Sequence, residues 1–497
     1  MLGREEMSEY ERQREERIRE QNQMLRELGI GLGVSPAPLV VPIVKPAPTR
    51  KRRRVAEEAP VEQEQKVATR FSLRARGLKA DVSAEDSAAK SPQLALDSFK
   101  QSRVQGDIPF SFQDGHVFDS LKKLILEHPS NEGQNNSVSE LNRLRSPIEG
   151  SVKVTKEMIF SIAFHPSKEK ILAFVGDKLG DLVLWNISDT IEQGQEIQEK
   201  IRNGVEVDEL VPMVCNFKPF QKPISKILFQ QNSCGKLLLS SYDGSVRLMD
   251  IEKQKFEDVF IHPEQDEMIS HFDIEQNSSV LWISDGSGSA ICSDLRSPST
   301  TIFQLSAKKI NTIHLNPVNQ QYLCIGGLDR TVKLFDVRNM KLSGDMQDEA
   351  PLIEPLMVLP HNLSVNAAYW DPKGLDIIST SFDDTLGLWK NVLKKRESGL
   401  IKIRHNNQTG RWVQKFKAVW MGQDACYFGS GTPTSQASSL VIGNMQRTVD
   451  IYSGNNGSQA ASLQEISLTA IPAVNVFHPY LPLIASGNAS GRMNIWC

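Results

Sequence analysis

The densest chemical signal in this sequence is cationic. Arg50, Lys51, Arg52, Arg53 and Arg54 follow Thr49 without a break, and a second basic patch, TRFSLRARG, runs from Thr69 to Gly77. Side chains at this density in a flexible setting serve as a nuclear import signal or as sequence-independent phosphate contacts, and a solvated charge run is the bland alternative. Catalytic spacing is missing. There is no G-x-S-x-G, no H-E-x-x-H, no phosphate loop and no carboxylate cluster at fixed spacing, so neither an enzyme nor a bound cofactor is expected. Six cysteines (215, 234, 292, 324, 426 and 497) are dispersed with no C-x-x-C pair and no histidine at ligand spacing, which argues against a metal site and for free thiols. His165 and His478, each in an FHP triplet, fall in turns between strands, where a turn or cap role suits them better than catalysis.

The elements that must position any functional side chain are repeats. Cys324 to Arg338, CIGGLDRTVKLFDVR, shows the pattern: small residues, an Asp two before a Thr, then an apolar strand closing on an aromatic and an Asp. Copies close at Trp185, Asp250, Arg296, Arg338, Trp389, Tyr452 and Trp496, seven in all. Each follows an apolar strand that ends in a turn signal, such as SIAFHP, TIHLNP, NAAYWDP and AVNVFHP. This is the signature of an all-β, seven-bladed WD-repeat propeller. Trp496 closes a third strand, so the last blade lacks an outer one, and SVKVT (Ser151 to Thr155) is expected to supply it and clasp the ring. The Asp six residues before each closing aromatic position, present as Asp243, Asp329 and Asp383, is expected to accept bonds from the tight turn. Four blades carry Leu179, Ser287, Gln446 or Ser490 there, which marks either degenerate repeats or blade tops put to another use.

The chain thus divides into an N-terminal region, residues 1–145, and a propeller, residues 146–497. The first region opens with a charged helix over residues 1 to about 30, which is either solvated or binds a partner through a narrow apolar stripe. A Pro-rich linker and the basic clusters follow, a short helix is expected within Phe110 to Leu126, and NEGQNNS reads as a loop; most of this region is expected to be disordered or loosely docked. The 497 residues carry 24% charged side chains and a net charge of -3, with no apolar run approaching the roughly 20 residues of a bilayer span, so an intracellular protein is expected.

Blade-one FHPSKEKILAFVGDKLGDLVLWN, the stretch VNAAYWDPKGLDIISTSFDD, HNNQTGRWVQKFKAVW (His405 to Trp420) and the N-terminal YERQREERIREQNQMLRELGI carry a resemblance. The chain resembles the family of WD repeat-containing protein 76 and the yeast damage-binding Cmr proteins. HNNQTGRW is the specific part, because it belongs to no generic blade. That family is similar to the small subunit of the UV-damaged DNA-binding heterodimer, a propeller that grips duplex DNA and inserts a hairpin at the lesion. The resemblance implies that Gly410, Arg411 and Trp412 form the hairpin tip, with Trp412 stacking on a base or wedging a step and Arg411 reaching phosphate or a base edge. The alternative is that Trp412 packs under its own loop. Lys178 and Lys309 match DNA-facing positions, while Glu157 and Met158 stand where a basic residue would lie, with Lys156 as a substitute. With a sequence pI of about 6.4, any nucleic-acid site must be a local basic face built from Lys178, Lys308, Lys309, Lys402, Arg404, His405, Arg411, Lys415 and Lys417.

Two neighbouring blades end in D-x-R, Asp294-Leu295-Arg296 and Asp336-Val337-Arg338. These resemble the docking box of cullin-4 ligase substrate receptors, whose adaptor is the large damage-binding subunit; an arginine pairing within its own blade is the structural alternative. The resemblance implies a nuclear protein, with the cytoplasm as a second compartment, that binds damaged or modified duplex DNA and scaffolds chromatin proteins. The alternative function is a ligase substrate receptor or interaction scaffold with no DNA contact.

Overall fold

A computed structural model describes residues 106–110, 115–126, 144–147, 151–203, 210–230, 233–264, 267–276, 278–297, 299–340, 352–394, 399–423, 439–465 and 468–497. All lie within the second of two compact units, Ser91–Cys497. The charged N-terminal helix, the Pro-rich linker, Thr49–Arg54, Thr69–Gly77, the NEGQNNS loop and Cys426 lie outside the described residues.

Seven antiparallel sheets form the seven blades of a propeller. Their inner strands are Ile159–Phe164, Ile224–Phe229, Ile269–Ile274, Ile310–Leu315, Val365–Trp370, Val419–Trp420 and Pro472–Phe477. The second strands are buried along nearly all their length, and Leu172–Asp177 and Ile484–Asn488 wholly so, because each blade is covered by a neighbour on both faces. This is why they read as unbroken apolar runs rather than alternating ones. Trp185, Trp370, Trp420 and Trp496 are among the largest fully buried side chains. The outer strands, such as Thr300–Gln304 and Gly399–Arg404, are largely exposed and carry little hydrophobic pattern.

The ring closes as expected. Val152 pairs with Met493 and Lys153 with Arg492, so the first described strand of the propeller becomes the outer strand of its last blade. Val154 and Thr155 extend the clasp by donating their amides to the Gly491 carbonyl at 3.0 and 3.1 Å.

The seven turns between second and third strands share one backbone geometry. Each contains a residue with positive φ: Gly180, Gly244, Gly288, Arg330, Asp384, Arg447 and Gly491. In blades two, four and five the expected aspartate serves this turn; Asp243 Oδ1 accepts from the Ser245 amide at 2.9 Å, and Asp329 Oδ1 from that of Thr331 at 3.2 Å. In the other four blades an Asx residue two positions earlier takes over. Asp177 Oδ1 accepts from the amides of Leu179 and Asp181 at 2.9 Å, and Asp285 Oδ1 from those of Gly288 and Ser289. Asn444 and Asn488 accept in the same way from the Gln446 and Ser490 amides. The four blades that depart from the pattern therefore keep the turn with a displaced acceptor.

Three pieces ahead of residue 146 dock on the propeller. Ile108–Pro109 pairs with Lys255–Phe256 as a fifth strand of blade two, and the Arg145 amide and carbonyl exchange bonds with Cys497. The helix α1 (Gly115–Leu126) sets Phe118, Leu121 and Ile125, one helical stripe, into a core with Phe174, Phe217, Phe229 and Phe256 of blades one and two. His165 Nε2 meets the Ile125 carbonyl at the helix end at 3.1 Å, while its Nδ1 accepts from the Ser167 amide. His478 repeats this arrangement, with Nδ1 accepting from Tyr480 and Leu481 amides and Nε2 against the Ser167 carbonyl. Both FHP histidines are therefore turn and cap residues, and burial pushes them down to about 4 and about 3. A second helix, α2 (Ile187–Arg202), has no counterpart in the repeat pattern. It fills the connection after Trp185, where Asn186 Oδ1 accepts from the Asp189 amide and Trp185 Nε1 donates to Thr190 Oγ1.

Candidate nucleic-acid interface

Antiparallel connectivity sorts the loops onto two faces. One face carries the turns between second and third strands together with the segments that lead into each inner strand. The opposite face carries the FHP turns and the connections that follow the closing aromatic residues. Lys156, Lys178, Lys308, Arg330, Arg411, Trp412 and Arg447 all belong to the first face and all are exposed.

The loop between blades five and six dominates this face. Its base is clamped: Asn407, fully buried, donates its side-chain amide to the carbonyls of Ser381 and Thr385 at 2.8 and 3.1 Å, and its backbone amide to Asp384 Oδ1. Phe416 and Ala418 are buried on the return, and the Ala418 amide donates to Thr380 Oγ1. Between these anchors the chain turns, with the Val413 amide donating to the Gly410 carbonyl at 3.0 Å. Trp412 stands at that turn 72% exposed, and the Arg411 guanidinium lies 5.7 Å from its ring centre. It does not pack under its own loop. An indole held out by a rigid base is available to stack on a base or to enter a base step, beside a cation that can meet phosphate.

The other expected residues divide by depth. Lys178 sits on the blade-one turn, where its amide donates to the Met158 carbonyl, and Lys156 is exposed nearby. Lys402 and Arg404 are exposed on the outer strand of blade five. Lys309 is sunk instead: its ammonium lies 5.2 Å from the Tyr242 ring centre and 2.9 Å from Met268 Sδ, and burial, with Lys415 nearby, lowers it to about 8. Lys415 and Lys417 line the central channel. His405 opens the same loop but lies beneath the face with its imidazole buried, which corrects its assignment as a DNA contact. It is 4% exposed, with Nδ1 2.7 Å from Asn407 Oδ1 and Nε2 3.9 Å from Asp450, the place in blade six that His361 holds in blade five. There the structural relay is complete: Trp389 Nε1 donates to Ser379 Oγ, which meets His361 Nε2, both at 2.8 Å.

Two cations of this face were not singled out by the sequence. Arg330 and Arg447 occupy the left-handed turn position, φ 69° and 64°, that glycine fills in four other blades. Both are exposed, and neither guanidinium has a hydrogen bond or ion pair among the described residues. The readable signal is an arginine in a register kept by glycine, a strained choice on a surface position. Acids here are largely occupied, Asp329 by Lys333 at 2.7 Å and Asp181 by Lys218 at 2.8 Å.

The D-x-R pairs lie on the opposite face. Arg296 donates from Nε and Nη2 to Asp294 at 3.2 Å, and Arg338 likewise to Asp336 at 3.0 and 2.7 Å. Each arginine is thus paired within its own blade. Among the described residues no group of three or more His, Cys, Asp or Glu could hold a metal ion. Among the described residues Cys234, Cys292, Cys324 and Cys497 are free thiols, and burial pushes Cys234 and Cys292 up to about 11.

No protein-family model matches the chain. DNA damage-binding protein CMR1 of Phaeosphaeria nodorum is 30% identical over 542 residues, spanning 99% of this chain and 98% of its own. The chain belongs to the CMR1 family of DNA damage-binding proteins. DNA damage-binding protein cmr1 of Neurospora crassa is also 30% identical, over 99% of this chain and 98% of its own length. The CMR1 protein of Vanderwaltozyma polyspora is 27% identical over 98% of this chain and 97% of its own. The similarity to CMR1 proteins therefore spans the propeller and the N-terminal region together.

Proposed function

We propose that this CMR1-family chain binds duplex DNA, damaged or modified, through the face that carries Trp412, and that it scaffolds chromatin-associated partners in the nucleus. The observation that carries the reading is the exposed indole of Trp412, held beside Arg411 by a loop clamped at both ends. Lys156, Lys178, Lys308, Arg330 and Arg447 surround it with charge for sequence-independent phosphate contacts. The names of the CMR1 relatives agree with it. The function is one of binding, in which the indole senses a weakened stack and the cations hold the backbone. Among the described residues no helix is long and apolar enough to cross a membrane.

The test is binding of the full chain to intact and UV-irradiated duplex across a salt series, beside an Arg411→Glu, Trp412→Ala variant. The wild type is expected to show a steep salt slope and a preference for the irradiated duplex, and the variant to lose both. Equal binding by the two proteins would refute the assignment of this face.

A second reading concerns the opposite face. Arg296 and Arg338 stand exposed on neighbouring blades, with side chains 71% and 57% accessible, which suits them to dock an adaptor of cullin-4 type. That contact exchanges an internal ion pair for an external one, so Arg296→Ala with Arg338→Ala should abolish adaptor capture and leave DNA binding intact.

A further inference from the structure

Inner strands of six blades converge on a cavity of about 90 Å³ in the central channel, lined by Lys226, Lys415 and Lys417 together with Gln414, His271 and Tyr369. Lys226 comes from blade two, and Lys415 and Lys417 from the segment entering blade six, so closure of the ring brings together charges far apart in the chain. Lys309 acts on the same cluster from the rim, being close enough to Lys415 and Lys417 for mutual repulsion. None of the four makes an ion pair with a carboxylate among the described residues; Glu267 is the acid that acts on Lys309. Burial and the neighbouring ammonium groups hold Lys417 down at about 8, and burial lowers Lys415 as well. The imidazoles do not offset this charge. His271 and His314 are held below their usual range by burial, so they are neutral at neutral pH. Converging cations with no counter-charge are costly to fold, and a bound anion removes that cost.

We infer that the mouth of the central channel is a binding site for a phosphate-type anion, reached by Lys226, Lys415 and Lys417 from two sides and completed by the Gln414 amide. At about 90 Å³ the cavity suits a small phosphate-type anion and excludes a duplex. The anion is therefore a free small phosphate or the terminal phosphate of a nucleic-acid strand. Either way, the site does not include Trp412 and does not depend on the duplex reading.

The test uses the full chain, with inorganic phosphate and pyrophosphate followed by calorimetry and thermal melting. Pyrophosphate is expected to bind saturably and to raise the melting temperature of the wild type. Lys226→Met with Lys417→Met should weaken binding at least tenfold while melting, without ligand, no lower than the wild type, because repulsion has been removed. Lys308→Met, on the open surface, should bind as the wild type does. The Arg411→Glu, Trp412→Ala variant should also bind pyrophosphate normally, so loss of duplex binding and loss of the channel site are told apart. A 5′-phosphorylated oligonucleotide that displaces pyrophosphate, when its unphosphorylated counterpart does not, would assign the ligand to a strand end. Displacement by neither assigns it to a free phosphate. No saturable binding to the wild type, or equal binding by the channel double variant, would overturn the site.

Discussion

At the residue scale, function and stability separate cleanly on the Trp412 face. Trp412 is exposed and its anchors are elsewhere, so Trp412→Ala should leave the melting temperature unchanged while weakening binding to irradiated duplex by roughly tenfold, within the 1–3 kcal/mol of a base–aromatic stack. Arg330 offers a sharper test, because its backbone is strained where blades one, two, three and seven use glycine. Arg330→Gly relieves the left-handed φ and should leave stability equal or raised by no more than about 1 kcal/mol. The same substitution should lower the salt slope of duplex binding by about one. A variant that melts lower, or binds as before, would contradict this. The displaced acceptors of the turns behave in the opposite way. Asp177 accepts from two amides and from Thr155 Oγ1, so Asp177→Ala should cost about 2 kcal/mol in urea unfolding, and a neutral result would remove it from the turn.

At the scale of elements, α1 and the Trp412 loop show two ways of fastening a segment. The helix is held by apolar burial: Phe118 is fully buried, with ring contacts at 5.7 and 5.9 Å to Phe110 and Phe217. Phe118→Ala should destabilise the chain by about 3 kcal/mol, and hydrogen exchange should show blades one and two losing protection first. The loop is held by the polar clamp at Asn407 and by Phe416 buried on its return, and Trp412 is left out. Its sequence nevertheless looks like a strand approach. His405 and Trp412 both lie in HNNQTGRW, yet one is the structural histidine of blade six and the other faces solvent. Local pattern could not separate them, because the partners that decide, Asp384 and Asp450, come from two different blades.

At the scale of the whole molecule, the ring imposes a pH dependence. His165, His314 and His478 are buried neutral and held at about 4, about 4 and about 3, below their ordinary 6.5. Above pH 6.5 neither folded nor unfolded chain protonates them, and the stability they protect is fully present. As pH falls below 6.5 the unfolded chain takes up protons that the folded chain refuses, so stability is lost progressively toward pH 4. The loss is about 2 kcal/mol for each histidine at pH 5. The urea midpoint should therefore be clearly lower at pH 5 than at pH 7; equal midpoints at pH 5 and 7 would contradict the buried neutral state.

What the sequence by itself determined is whatever recurs or is local. Seven closing strands, the turn aspartates and the clasp were legible because each blade solves the same packing problem with similar residues, and because an unpaired last strand demands a partner. The displaced acceptors Asp177, Asp285, Asn444 and Asn488 were equally present in the register, and reading the first turn position beside the third recovers them. The helix α2 stayed hidden because it interrupts the repeat, and the outer strands because half-exposed edges carry little apolar pattern. Only the tertiary structure decided which cations share a surface. Lys178 and Arg411 lie on one face, Lys309 sinks beside Tyr242, and Lys226 meets Lys417 in the channel, since closing a ring sets neighbours by angle around an axis rather than by distance along the chain.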